Sequence, residues 1–231
     1  MNSNYSISEY MTMPLFSNRL LLLPLFQGFS RLDFIDIVEK TPFDFRTISP
    51  KGIVVSQGTT CKCLCMVLNG KMSVETDSPE HTYRLTESVS APHIIQIENL
   101  FGLHNKYTRT YRAQSEVQLV MLDKQSVRQL LVAYPAFQIN FYNAVSTCAQ
   151  SREVMLWSKR SDTVEGRFRT FLLRRCLRPV GQKQLKIRME DLASELGATR
   201  LRVSQMLADL AAKNKIIYSR GIIHVQSLEN L

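Results

Sequence analysis

The 231-residue chain has no apolar run near the roughly 20 residues that span a bilayer; the longest one near its start, Leu20 to Phe26, is broken by Pro24. No membrane partner is expected from it. The opening segment MNSNYSISEY has no basic stretch leading into an apolar one, so no secretory signal is expected either. Its five cysteines are an odd number without framework spacing, which suits a reducing cytoplasm and excludes a disulfide scaffold. The patterns G-x-S-x-G, H-E-x-x-H, the P-loop and G-x-G-x-x-G are also missing. The sequence therefore offers no enzyme constellation, no metal site and no cofactor motif.

What the chain does have is positive charge, unevenly placed. It carries 29 Lys and Arg against 20 Asp and Glu, a net +9. Residues 151–231 hold sixteen of the basic residues against eight acidic ones, while residues 1–150 hold thirteen against twelve. Nearly all the excess sits in the last third, where a polyanion is the economical partner, because phosphate neutralisation with counterion release supplies most sequence-independent DNA affinity. A basic solvated face with no partner is the plain alternative.

Ile187 to Ile217, IRMEDLASELGATRLRVSQMLADLAAKNKII, lies inside that basic third. Ile187, Leu192, Leu196, Val203, Met206, Leu207 and Leu210 recur mostly at three- and four-residue intervals on either side of Gly197, which gives two short amphipathic helices. Gly197 suits the left-handed residue that ends the first helix, and Thr199 suits the N-cap of the second. That is a helix-turn-helix pattern. With the apolar positions buried, Thr199, Arg200, Leu201, Arg202, Ser204 and Gln205 are left at the N-terminal end of the second helix, where such motifs meet base edges and phosphates. Arginine bonds guanine bidentately and glutamine bonds adenine, whereas leucine contacts only a thymine methyl or a sugar. The following KIIYSRGIIHV reads as a hairpin turning at Ser219, Arg220 and Gly221, so the motif is winged and Arg220 joins the DNA-facing set. An ordinary core helical hairpin is the competing reading.

Upstream, from Phe43 to Leu122, short β-branched runs alternate with turn residues, as an all-β sandwich or barrel requires. Gly70 is expected between two strands of a hairpin. Ser30 to Lys40 reads as a short capped helix, Lys124 to Ala133 as another, and Pro135 opens a longer one reaching about Lys159. Along that longer helix Phe141, Val145, Cys148, Arg152 and Met155 recur at helical spacing, a stripe expected to form a parallel homodimer seam, with intramolecular burial as the alternative. The expected divisions are 1–133, 134–160 and 161–231.

This order, with Gln57 and Gly58, then Val67, Leu68, Gly70, Ser73 and Val74, then Pro135, then Asp162, Glu165, Gly166 and Arg167, and then Ile187 to Ile217, resembles the Crp/Fnr-type bacterial transcription regulators. APHIIQIENLFGL also looks like a variant of these regulators associated with anaerobic Bacteroidetes. The resemblance implies an α+β fold: an N-terminal antiparallel, jelly-roll-like β-roll sensor domain, a long dimerisation helix and a C-terminal winged helix-turn-helix. It implies a cytoplasmic homodimer that binds double-stranded DNA at a palindromic operator and contacts RNA polymerase, with a small-molecule effector of unknown identity.

The residues depart from that family's chemistry in two places. Members that bind cyclic nucleotides use a G-E-L and an R-S/T-A segment; aligned through Tyr111, Arg112 and Ala113, this chain has Gln96, Ile97 and Glu98, then Tyr107, Thr108 and Arg109. Arg152 and Glu153 stand where a hydroxyl pair would read adenine. Glu98, Tyr107, Thr108, Arg109 and Arg152 are therefore the candidate effector residues, for a ligand other than cyclic AMP or for none. A cyclic-nucleotide-, redox- or metal-responsive regulator is the alternative. The family's usual R-E-x-x-x-R reading pattern is Arg200, Leu201 and Gln205 here, which predicts an unusual operator.

Cys61, Cys63 and Cys65 alternate, so in a strand their thiols share one face about 6.6 Å apart, near the upper limit for a disulfide. They suit either small buried hydrophobes or a redox or metal role. Residues 1–60 contain no cysteine, unlike the family's iron-sulfur oxygen sensors. His81, His93 and His104 are scattered and are expected at the surface or in loops.

Overall fold

A computed structural model describes residues 19–156 and 161–231, without the side chains of residues 155 and 156. Eleven strands and six α-helices follow in chain order within those residues, with three short 3-10 turns. Helix α1 is Arg31–Lys40, and its start is locally specified: the Ser30 hydroxyl accepts from Asp33 N while the Asp33 carboxylate accepts from Ser30 N, a reciprocal capping box.

Strands β1 (Asp44–Ile48), β2 (Ile53–Val55), β3 (Cys63–Asn69), β4 (Lys71–Asp77), β5 (Tyr83–Ser90), β6 (His93–Ile95), β7 (Thr110–Ala113) and β8 (Val117–Asp123) make the β-roll. One sheet has the order β1-β8-β3-β6. Between the sheets, Leu64, Met66, Met72, Val74, Tyr111 and Leu122 are buried, as the alternation of the strands directs. Gly70 is not a hairpin turn within one sheet: β3 and β4 belong to different sheets, so it is the corner where the chain crosses over. Its φ of 101° favours glycine, and a Cβ there would strike the Glu116 carbonyl.

Helix α2 (Lys124–Ala133) is capped by Asp123, whose side chain accepts from Ser126 N. Helix α3 (Pro135–Leu156) follows at once and lies on the β-roll, where Phe137 is fully buried with its ring 5.6 Å from Phe26. Burying such a side chain contributes about 1.5–3 kcal/mol.

The C-terminal part holds α4 (Val164–Leu173), β9 (Lys183–Ile187), α5 (Met189–Leu196), α6 (Arg200–Ala212), β10 (Ile216–Ser219) and β11 (Ile222–Val225). Its strands do not form a sheet of their own. β9 pairs with β5 of the β-roll, giving one seven-stranded sheet of order β10-β11-β9-β5-β4-β7-β2. A second hydrophobic core, around Phe168, Leu192, Val203, Leu207, Leu210 and Ile223, accordingly includes Tyr83 and Leu85 from β5. Among the described residues, no helix is long and apolar enough to cross a membrane.

Candidate nucleic-acid interface and effector region

Gly197 ends α5 in the left-handed region, with φ 55° and ψ 47°, and the Thr199 hydroxyl then accepts from Arg202 N at the start of α6. These two local devices set the angle between the helices. On α6, Val203, Met206, Leu207 and Leu210 are buried, while Thr199, Arg200, Leu201, Arg202, Ser204 and Gln205 are exposed. Leu201 is 69% exposed, a large apolar side chain with no core to enter. The Arg200 guanidinium reaches Glu190 Oε1 at 3.0 Å with both side chains 66% exposed, so the pair is weak and open to exchange. The wing turns at Arg220 and Gly221, whose φ values of 48° and 77° are what a two-residue hairpin loop requires. Arg220 is exposed at its tip.

The five candidate effector residues do not converge. Glu98 and Arg152 do meet, at 2.7 Å, tying α3 to the turn after β6. The Tyr107 hydroxyl lies 3.7 Å from Cys65 Sγ, and its ring is buried. Thr108 N donates to Gln96 Oε1. Arg109 points elsewhere, donating to the carbonyls of Arg175 and Cys176 after α4. The polar groups that would greet a ligand are thus largely engaged within the chain.

Tyr111 is fully buried with its ring 5.9 Å from that of His93, stacked at 26°. His93 lies on β6 rather than at the surface or in a loop, and its Nε2, like the Tyr111 hydroxyl, is buried without a hydrogen-bond partner. Burial, helped by the charge of Arg178, pushes the His93 imidazole down to about 4, and burial pushes the Tyr111 phenol up. Alternation through the β6 run would have placed the His93 ring inward.

Residues 45–134 match the model of the cyclic nucleotide-binding domain, and residues 166–231 match that of the Crp-like helix-turn-helix domain. Together the two matches take in more than half of the chain, in the order the fold shows.

The chain is a Crp/Fnr-type regulator.

Among solved structures, the chain is similar to the catabolite activator protein of Thermus thermophilus, with 20% identity over 88% of this chain and 94% of that one, at a TM-score of 0.53. It is also similar to the sensor domain of the transcriptional regulator DNR from Pseudomonas aeruginosa, with 15% identity over 64% of this chain and 97% of that one, at a TM-score of 0.51. These likenesses are of fold. No curated protein matches the chain.

In this Crp/Fnr-type chain, the stripe expected at a dimer seam is the inner face of α3. Phe141 is 6% exposed and its ring sits 6.1 Å from Phe101, while Val145 and Cys148 pack against the β-roll core. Arg152 completes that face through Glu98. The Met155 side chain lies outside the described residues. The N-terminal part of the most apolar stripe is thus buried in its own core and the rest is partly covered, while Ile139 and Tyr142 are exposed on another face, followed at helical spacing by Ser146 and Ala149.

Two cavities lie near the regulator's α4. One of about 770 Å³ separates the end of α3 from α4, lined by Thr147, Ser151, Val154, Arg169 and Arg174; the other, about 300 Å³, is lined by Arg167, Arg174, Arg175 and Glu195. Neither is lined by the candidate effector residues.

The regulator's three neighbouring cysteines are free thiols, and among the described residues no cluster of three or more His, Cys, Asp or Glu is arranged to hold a metal. Cys61 precedes β3, so the three do not share one strand. Cys63 and Cys65 do, with sulfurs 3.7 Å apart. The hydrogen bond with the Cys65 thiol, against burial and assisted by Arg46, holds Cys63 below the ordinary thiol range, while the same contact and burial push Cys65 up.

Proposed function

We propose that the chain is a sequence-specific DNA-binding transcription regulator that binds a palindromic operator as a homodimer in the cytoplasm and contacts RNA polymerase. The observation that carries this reading is the division of α6: its apolar residues are buried and Thr199, Arg200, Leu201, Arg202, Ser204 and Gln205 face outward together. Arg220 on the wing and the basic excess of residues 151–231 add phosphate contacts. The dimer seam in this reading centres on the more exposed stripe of α3, Ile139, Tyr142, Ser146 and Ala149, because Phe141 of the other stripe is buried and Val145 and Cys148 are partly buried against the β-roll core. Two copies related by a two-fold axis would offer two recognition helices about 34 Å apart.

Cyclic AMP is not the ligand in this reading. Tyr107 and Tyr111 are buried in the β-roll interior, and Arg109, the arginine nearest in sequence to the phosphate-binding position, is held by two carbonyls. Isothermal titration is expected to show no micromolar binding of cyclic AMP; a saturating heat signal in that range would overturn this part.

The test of the whole is selection of bound sequences from random duplex DNA with the full-length protein. An inverted repeat is expected, with a half-site unlike the family's usual one and adenine favoured opposite Gln205. Arg200→Ala should then cost about 1–3 kcal/mol and relax one position in each half-site. No enriched sequence, or an unchanged preference in the variant, would sink the assignment of α6.

A further inference from the structure

The seam between β5 and β9 is built around two charges in the protein interior. Glu87 and Lys183 stand directly opposite each other in the pairing, with Lys183 Nζ 2.9 Å from Glu87 Oε2 and side chains only 2% and 3% exposed. Both are further satisfied. The Glu87 carboxylate accepts from the backbone N–H groups of Leu177 and Arg178, and Lys183 Nζ donates to the Val180 carbonyl at 2.8 Å. One β-roll residue thus holds both the strand and the linker of the DNA-binding part.

Three more residues, Arg109, Arg175 and Leu85, flank the pair. Arg109 donates to the carbonyls of Arg175 and Cys176 at 3.3 and 3.2 Å. Arg175 Nε donates to the Tyr83 hydroxyl at 2.6 Å, its guanidinium lies over the rings of Tyr83 and Phe171, and its Nη2 reaches Glu195 of α5 at 2.8 Å. Leu85, fully buried, packs in the same core as Val203 and Leu207 of α6. From β5 to the recognition helix there is continuous packing, yet none of this covers the exposed face of α6.

A buried ion pair is a poor way to gain stability, since its desolvation offsets its attraction and apolar residues of similar volume often do as well. It is a good way to fix register. Sliding β9 by two residues keeps each side chain on its face but sets Glu87 opposite Leu185 or Lys183 opposite Leu85, burying unpaired charges. Such a slip would move the DNA-binding part by about 7 Å, roughly two base-pair steps.

We propose that Glu87 and Lys183, with Arg109 and Tyr83 beside them, are positioning residues for DNA recognition: they lock the winged helix-turn-helix onto the β-roll in one register, so that a dimer presents its two recognition helices at one spacing. This rests on the dimeric reading above. Rigid presentation gives bivalent binding its advantage only where the half-site separation matches, whereas a loose tether tolerates several separations with a lower effective concentration.

The experiment uses the full-length protein, the operator it selects, the same operator with about five base pairs inserted between half-sites to rotate them by half a turn, and a single half-site. Wild type is expected to prefer the uninserted operator about a hundredfold. Glu87→Gln and Arg109→Gln should each weaken binding to that operator, about tenfold or more, and shrink the preference to within about tenfold, while half-site binding changes less than about twofold. Hydrogen exchange of the β9 amides in the DNA-free protein should quicken in both variants. Arg109→Gln removes no buried charge pair and serves where Glu87→Gln fails to fold. A spacing preference retained in the folded variants, or β9 amides that exchange as in wild type, overturns the positioning role and leaves the dimeric reading standing. A wild type that treats half-sites and both operators alike overturns the dimeric reading and the positioning role together.

Discussion

Arg200 on α6 has its side chain 66% exposed beside one equally exposed carboxylate, whereas Arg109 of the β-roll donates to two backbone carbonyls and the Thr76 hydroxyl. The same contrast runs through their neighbourhoods. Ser204 and Gln205 face outward on α6, while Tyr107 and Tyr111 fill the β-roll interior and Glu98 holds Arg152. One region leaves its hydrogen-bonding groups exposed, and the other has them buried or largely engaged within the chain. A shared family scaffold therefore says little about whether a site on it is open, because backbone geometry follows apolar periodicity while availability depends on which side chains have already met.

Substitutions can break this comparison, beginning with the one expected to do most. Leu85→Ala, in the β-roll by sequence, should cost about 2–5 kcal/mol in chemical denaturation. Because Leu85 lies in the second core, the loss should appear in probes of α6. A loss confined to β-roll probes would show that the two cores are separate. His93 comes next. Its imidazole, pushed down to about 4 by burial, stays neutral in the folded protein while the unfolded chain is protonated below its ordinary value near 6.5. Stability present above that value should drain away as pH falls from 6.5 toward 4. His93→Phe, keeping a ring against Tyr111, should flatten the fall in urea midpoint between pH 7.5 and 4.5; equal falls would acquit His93.

On the exposed side of the helix-turn-helix, Thr199→Ala removes the cap of α6 and should cost about 1 kcal/mol of stability. Thr199→Gly should restore part of it, since glycine is tolerated at N-caps; identical losses would point away from capping. The smallest effect is expected from Arg152→Gln. The Glu98 pair it breaks is 58% exposed on the arginine side, so thermal unfolding should register about 1 kcal/mol or less. A larger loss would mean that the contact between Glu98 and Arg152 carries more of the β-roll's stability than its exposure suggests.

The elements that were legible in the sequence are those fixed by their own residues. The stripe of α5 and α6, Gly197, Thr199 and the Arg220–Gly221 turn each state their geometry within a few positions. The β5–β9 seam was not legible. In KQLKI the buried positions are Lys183, Leu185 and Ile187, and in YRLTESVS they are Tyr83, Leu85, Glu87 and Val89. A lysine and a glutamate at those places read as solvent-facing, and only their opposition across about a hundred residues of chain makes them interior. The available signal was a pair of alternating runs with opposite charges at matching inward positions. Likewise periodicity alone shows an apolar stripe on α3 but not how it is shared: Phe141 is buried in the β-roll core, Val145 and Cys148 are partly buried against it, and the Arg152 side chain is 58% exposed.

The seven-stranded sheet also limits how such a protein can be rearranged. This chain's winged helix-turn-helix, cut near residue 161 and grafted onto a relative, would arrive without Tyr83 and Leu85, and the β-roll left behind would keep a buried glutamate with no lysine to meet it. Exchange of specificity between relatives is therefore expected to succeed by changing residues on α6, or by carrying β5 along with the graft, and to fail at the linker where the chain looks easiest to cut.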